Sequence, residues 1–458
     1  MGFKAVWYNG LSNIVPVCNI ADIFSGGVEF LIKVIDSPCG SGKTMWSIQY
    51  INKLPAERRV VFVTPFLSEC DRIIRGCSRK RFVQPSVRSG KGRKINDFLL
   101  LVQANKNIAT THALFSSIDS RILKELKLHN YTLIVDEAMN VLNKINIYSG
   151  ETVDSDAEIL ANKKESDDIR TFLETGILKQ EENDKVSWDK NSYLGKYDFL
   201  KHSSDTGNLF IMDNTLLMWT FSPEIFLGEV FKEIYILTYQ FDFQIHSYYF
   251  KYYNIEYEKL EVFMSGKKCE LFPYGSRGVD LEFRRQAKDL IEICENSKMN
   301  SVGSPSINMS NKTPITSLSI RWYKDHPHMI KTIQNNVTNF WKNIAGAAGN
   351  DRMWTCFKDN EKVMSNQVLC KKNFIAINAR ATNDFANKKY LCYLANRYIN
   401  PCMIRFFSKR DIHLNQDEFA LAELIQWIWR SAIRNGEKIY LYIPSERMRN
   451  LLKKWLDV

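Results

Sequence analysis

No run of about 18 uninterrupted apolar residues occurs in this 458-residue chain, so no membrane-crossing helix is expected. The opening residues, Met1-Gly2-Phe3-Lys4-Ala5-Val6-Trp7, lack the layout of a secretory signal, and a cytoplasmic setting is expected. Ten cysteines are scattered without a single Cys-x-x-Cys pair, which leaves a zinc site or a disulfide framework without support and makes reduced core thiols the plain reading. There is no internal repeat, and no acidic nuclease-type cluster late in the chain. What is present is the composition of a globular protein, 45% apolar and 25% charged, at a length that calls for two or three domains rather than one core. Sixty-two Lys and Arg stand against 51 Asp and Glu, a net charge of +11 that favours a polyanionic partner such as nucleic acid.

The most specific text is Ser37-Pro38-Cys39-Gly40-Ser41-Gly42-Lys43-Thr44. It lies between an apolar run (Phe30, Leu31, Ile32, Val34, Ile35) and an amphipathic stretch (Met45, Trp46, Ile48, Tyr50, Ile51). That is the strand, loop and helix order of a phosphate cradle, in which loop amides and a helix N-terminus face one anion. Gly40 and Gly42 let the backbone turn closely around phosphate oxygens, Lys43 supplies a point charge, and the Thr44 hydroxyl suits a Mg²⁺ shell. Ser37 stands where such loops usually begin with glycine. A nucleoside triphosphate is the expected ligand. Downstream, Leu133-Ile134-Val135 runs into Asp136-Glu137, a buried-type strand ending in two carboxylates. Asp136 is expected to hold hydrated Mg²⁺, and Glu137 to orient or deprotonate the attacking water.

Between these motifs, apolar runs at 59–64 and 107–111 alternate with helix-like text at 68–75, which implies a parallel sheet with its ligand site at the strands' carboxyl ends. Residues of about 145–209 turn acidic, lysine-rich and polar, as in an inserted subdomain or arm. The core is expected to resume with a hairpin at 209–221 and a strand at 233–238. In the later half, helices are expected at 280–296 and 327–344, and strands at 353–357, 374–377 and 438–443. Residues 420–434 place Gln426, Arg430 and Arg434 four apart on one face of an apolar helix, as for an arginine finger delivered from one domain to a nucleotide held by another.

In this order the chain resembles a superfamily 2 helicase of the DEAD/DEAH-like kind, and in particular the compact DExx helicases of bacterial viruses. Residues 37–44 look like motif I, Thr64-Pro65-Phe66 like motif Ia, and Thr110-Thr111-His112 like a nucleic-acid-contacting motif. Asp136-Glu137-Ala138-Met139 look like motif II, Leu237-Thr238-Tyr239 occupy the place of motif III, residues 378–383 resemble motif V, and Gln426 to Arg434 resemble motif VI. The usual Ser-Ala-Thr of motif III is missing, and Arg434 lies four residues beyond Arg430 where the family spaces its arginines by three. No adenine-reading glutamine motif precedes Ser37.

The resemblance implies an α/β chain of two RecA-like parallel-sheet domains in tandem, residues 1–245 and 246–458, with the polar insertion in the first. ATP would lie between them, and Arg430, or else Arg434, would reach its phosphates. Thr64, Pro65, Thr110, Thr111, His112, Thr382 and Asn383 would grip a nucleic-acid backbone, with the basic stretch 88–94 adding to the track. The expected activity is that of an ATP-dependent DNA helicase or translocase in phage or bacterial replication or recombination, in the cytoplasm of a bacterium or phage-infected host. DNA is favoured over RNA, with replication proteins as possible partners. A DNA-packaging ATPase, a ring ATPase and a non-enzymatic replication factor are the alternatives.

Overall fold

The structure, a computed structural model, describes residues 31–88, 93–149, 152–153, 163–189, 195–227, 230–304, 306–308, 313–378 and 384–457. Thr382 and Asn383, with residues 89–92 of the basic stretch, lie outside the described residues.

The first half runs β1 (Ile32–Asp36), α1 (Lys43–Lys53), β2 (Val60–Thr64), α2 (Leu67–Gly76), β3 (Phe82–Val83), α3 (Lys94–Gln103), β4 (Asn107–Thr111), the short α4 (His112–Phe115), α5 (Ser120–Leu128) and β5 (Thr132–Asp136). Every residue of β2 and β5 is buried, because a parallel sheet carries helices on both faces and its strands read as continuous apolar runs. Asp119 starts α5 by accepting from the amides of Arg121 and Ile122, which satisfies two donors that the helix itself cannot.

The insertion follows as β6 (Leu142–Ile145), β7 (Thr152–Val153), α6 (Lys163–Glu174), β8 (Leu178–Gln180), β9 (Val186–Trp188), α7 (Asp198–Asp205), β10 (Leu209–Met212) and β11 (Thr215–Trp219). It is a subdomain with its own apolar core of Ile147, Ile169, Leu178, Trp188, Leu200 and Leu216. The hairpin β10–β11, expected in the main sheet, pairs with β6 instead in a sheet ordered β10-β11-β6-β7, so the inserted unit runs on to 219.

The chain then returns through β12 (Glu233–Thr238), α8 (Ile245–Tyr252), β13 (Glu258–Ser265) and β14 (Lys268–Pro273). The completed sheet has the order β14-β13-β1-β12-β5-β2-β4-β3, parallel but for β14. Residues 258–273 thus belong to the first sheet although they lie beyond 245. Paired registers put Asp36 beside Thr238, Leu237 beside Asp136, and Thr64 beside Thr111. These residues share the carboxyl edge, where a parallel sheet presents its ligand site.

The second half comprises α9 (Val279–Leu290), β15 (Ile291–Ile293), α10 (Ser297–Asn300), β16 (Ser306–Asn308), β17 (Thr313–Ile315), α11 (Ile320–Asp325), α12 (Met329–Asn339), β18 (Arg352–Thr355), α13 (Glu361–Met364), β19 (Tyr390–Tyr393), α14 (Pro401–Ser408), α15 (Gln416–Ile428), β20 (Ile439–Tyr442) and α16 (Glu446–Leu456). Its parallel sheet is ordered β15-β20-β19-β18. Residues 374–377 form no strand; only a bridge from Phe374 to Trp354 occurs there, and β19 takes the ladder position beside β18. The chain is therefore α/β, with two RecA-like parallel-sheet domains in tandem and an inserted subdomain. Among the described residues no helix is long and apolar enough to cross a membrane.

Candidate nucleotide site between the two sheets

The loop between β1 and α1 is fixed at both ends. Gly40 and Gly42 take φ of +83° and +95°, in the left-handed region open to glycine at little cost. A Cβ at Gly42 would lie 3.2 Å from Cys269 Sγ, because the β13–β14 hairpin presses on the loop. Ser37 is buried, donates its amide to Thr238 O (2.9 Å), and accepts from the Val262 amide at its hydroxyl (2.7 Å). That second bond explains serine where phosphate loops usually begin with glycine: its hydroxyl ties the loop to β13. One residue earlier, the Asp36 carboxylate accepts from the amides of Gln240 (2.6 Å) and Phe241 (3.0 Å) and pairs with Lys259 Nζ (3.1 Å). Burial raises its pKa, and the Lys259 ammonium opposes the rise.

Lys43 folds back on its own loop, donating to Ser37 O and to Pro38 O (2.8 Å). An ammonium held only by neutral carbonyls is suited to exchange them for phosphate oxygens. Among the described residues the buried Ser41 Oγ has no hydrogen-bond partner, and its place on the loop suits a phosphate oxygen. Asp136 ends β5 at 8% exposure, and its pKa is pushed up to about 7, first by burial and then by the Glu137 charge, with Lys43 pulling the other way. Glu137 takes φ +65°, sparsely populated for a residue with a Cβ, and its amide donates to Leu237 O (2.8 Å). Thr44 opens α1 half-buried. A buried carboxylate that resists ionisation, a threonine hydroxyl and a phosphate cradle fit Mg²⁺, which takes one or two protein oxygens and completes its shell with phosphate and water.

The second domain comes to the loop through Cys39, which packs on the core of the later half. Burial pushes its thiol pKa up, and the charges acting on it are Lys43, Glu137, Arg430 and Arg434. Charged residues expected from motifs I, II and VI therefore all act on one loop thiol. The helical face drawn through Gln426, Arg430 and Arg434 is not realised, since α15 stops at Ile428. Ser431 Oγ bonds to Ile428 O (2.7 Å) and the Ala432 amide turns to Lys388 O (2.9 Å), and these bonds displace the helical ladder. Arg430 lies in the resulting turn and is buried, whereas Arg434 is exposed on a single 3₁₀ turn. Gln426 stays on α15, half-buried.

The expected nucleic-acid residues divide. Thr64 and Thr110 are buried, with hydroxyls turned into the core. Thr111 caps α4 by accepting from the Leu114 amide (3.4 Å), and His112 Nε2 donates to Asp136 O (2.8 Å), which binds it to the carboxylate strand. Pro65 and Thr111 line an open cavity of about 870 Å³ that also takes in Phe66, Arg72, Arg75 and Lys94, and is met from the second half by Asp384. Arg72 and Glu69, which line this cavity, are among the charges acting on Asp136. Asp36 and the Ser37 bond were not anticipated from the sequence, and Phe66 was placed in motif Ia without a role of its own. A lone acid ending an apolar strand was the available signal for Asp36.

Fold and site together define a tandem α/β protein in which a glycine-bearing strand-to-helix loop and a carboxylate-ended strand lie on the first sheet and the loop packs on a second parallel-sheet domain. A SPbeta prophage-derived uncharacterized protein YonV from Bacillus subtilis (strain 168) is 34% identical over 436 residues, spanning 93% of this chain and 98% of that protein. The chain belongs to the YonV family. Residues 162–219 match the YonV middle domain and 285–456 the YonV C-terminal Rossmann-like domain. Among solved structures, S. tokodaii Xpd4 aligns at 11% identity with a TM-score of 0.47 over 93% of this chain and 94% of that one. The DUF1998 helicase MrfA, bound to DNA and AMPPNP, aligns at 10% identity with a TM-score of 0.29 over 94% of this chain and 48% of that one.

Proposed function

We propose that the chain is an ATP-dependent nucleic-acid motor, a DNA helicase or translocase of phage or bacterial replication or recombination. The observation that carries this reading is the packing of Cys39, in the loop of one parallel-sheet domain, on the core of the other, where Lys43, Glu137, Arg430 and Arg434 are the charges acting on its thiol. A triphosphate there would draw Lys43 off its carbonyls. Glu137 would hold the attacking water, and Arg430, already buried at the domain contact, would follow charge on the γ-phosphoryl group. Thr44 and Asp136 would hold Mg²⁺, which supplies charge neutralisation between the phosphates. We place the first domain at residues up to 273 and the second from 279 onward, because the sheets divide there. The cavity between α2, α3 and Asp384 is the proposed path for a strand, with Arg75 and Lys94 toward phosphates and Phe66, 41% exposed, toward a base. The prophage origin of the Bacillus relative supports a phage setting, and DNA is preferred to RNA on that ground.

The test is steady-state ATP hydrolysis by the purified chain, with and without single-stranded DNA or RNA. Lys43→Ala is expected to abolish turnover while leaving the thermal transition in place, and a single strand is expected to stimulate the wild type. Undiminished turnover in Lys43→Ala sinks the site assignment, and hydrolysis indifferent to both polymers sinks the motor.

A further inference from the structure

Motif III of the resembling family is absent here, yet the segment in its place is firmly engaged. β12 ends at Thr238 beside Asp36, so Tyr239 leaves the sheet immediately next to the phosphate loop. Its ring is buried in the core of the second half, and its hydroxyl donates to Asp280 Oδ1 (2.7 Å) on α9, a carboxylate that Arg284 also holds (2.8 Å). One turn along α9, the Phe283 ring lies 5.6 Å from Tyr239 with planes at 74°, an edge-to-face contact. On its other side Phe283 meets Trp429 at 4.3 Å. Trp455 of α16 joins the cluster, 5.9 Å from Phe283 and 6.1 Å from Trp429. Trp429 is the residue before Arg430 and the C-cap of α15, its amide still bonded to Ile425 O (3.0 Å), while the Arg430 amide turns to Trp427 O (3.2 Å).

We propose that Phe283 is a positioning residue for ATP hydrolysis, a ring wedged between Tyr239 of the first domain and Trp429 of the second that sets where Arg430 stands relative to the phosphate loop. The inference rests on the proposed ATPase reading. It assigns to three packed rings the coupling that a Ser-Ala-Thr segment is missing to perform. Packing suits this work because close-packed aromatic side chains transmit a shift instead of absorbing it. Movement of the β12 end, as Ser37 and Thr238 respond to a bound triphosphate, reaches Arg430 through two ring contacts. Phe283 touches no substrate in this scheme and acts only through the arginine.

The test is kinetic and uses the full chain. Phe283→Ala is expected to lower kcat by about tenfold or more, as a displaced catalytic group does, while KM for ATP moves less than about threefold, since phosphate-loop contacts are untouched. Phe283→Tyr, which keeps the ring, is expected to restore kcat, and Phe283→Leu, which keeps apolar volume alone, to restore the thermal transition without restoring kcat. The deciding variant is the pair Phe283→Ala with Arg430→Ala. If Phe283 works through Arg430, the pair turns over no more slowly than Arg430→Ala alone. Losses that multiply overturn the proposal, as does full activity in Phe283→Leu. A wild-type chain without ATP turnover is a different outcome and fails the ATPase reading itself.

Discussion

Asp136 carries a strongly displaced titration. Its carboxyl ionises near pH 7 in the folded chain against 3.8 for the ordinary side chain, because burial and Glu137 disfavour the charge. Between those values the folded state binds a proton that the unfolded state releases. Its stabilising contribution is therefore complete below the lower value and is lost as pH rises through about 7. In the absence of nucleotide, stability should fall across that window, and Asp136→Asn should flatten the fall, which thermal transitions at stepped pH would read. On the proposed ATPase reading activity should run the other way, since only the ionised carboxylate would serve Mg²⁺. We expect kcat/KM to rise through an inflection near 7 and kcat to inflect lower, because a bound cation favours the charged form. Coincident inflections in the two profiles would remove Asp136 from the role of metal ligand.

At the scale of elements, α14 joins what sequence order separates. Pro401 and the Asn400 cap, which accepts from the Cys402 amide (2.9 Å), start it, and its buried face of Cys402, Met403, Phe406 and Phe407 packs into the first domain. The Phe406 ring lies 5.2 Å from Phe210 and 5.4 Å from Trp219, and the guanidinium of Arg410 stands 4.0 Å above it while pairing with Asp184 at 3.4 Å. A segment of the second half thus pins the insertion. Phe406→Ala should cost about 3–5 kcal/mol, the usual loss for emptying a buried phenylalanine site, and should split one calorimetric transition into two. A loss under about 1 kcal/mol with a single transition would show that α14 staples nothing.

The strands β1, β2, β4, β5 and β12 were legible because each is an apolar run ending at a proline, a helix start or a polar edge. The phosphate loop and Asp136-Glu137 were legible as local text. Pairing was not: β10–β11 reads as any buried hairpin, and only its partner β6, more than sixty residues earlier, decides which sheet it joins. Phe374-Ile375-Ala376-Ile377 is as apolar as a strand, but burial alone does not make a ladder. The 3.6-residue period of 420–434 continues past the real helix end, because a tertiary bond from Ala432 to Lys388 O leaves no mark in the sequence. The same long-range character hid Asp36, the Ser37 bond and the contact of Phe283 with Tyr239.

Over the whole molecule, a net charge of +11 becomes meaningful only where it is gathered. Arg72, Arg75 and Lys94 lie on one wall of the open cavity, while Glu69 and Asp384 share its lining, so the field there is positive but moderated. Arg72 is engaged by Glu69 at 3.2 Å, which leaves Arg75 and Lys94 as the stronger candidates for phosphate contacts. On the motor reading, a single strand bound in this cavity releases condensed counterions as the lysine and arginine neutralise phosphates. Each such contact adds about 0.7 to the slope of log affinity against log salt for single strands. Arg75→Ala combined with Lys94→Ala should therefore lower that slope by about 1.4, with affinity falling alike for all sequences, since phosphate contacts carry no base information. Phe66→Ala should act differently, weakening binding by about 1–3 kcal/mol, the range for loss of a base-stacking ring, while leaving the salt slope unchanged. Fluorescence anisotropy with a labelled oligonucleotide across a salt series separates the two effects. If the double variant keeps the wild-type slope, the strand runs elsewhere on the molecule, and the cavity has another occupant.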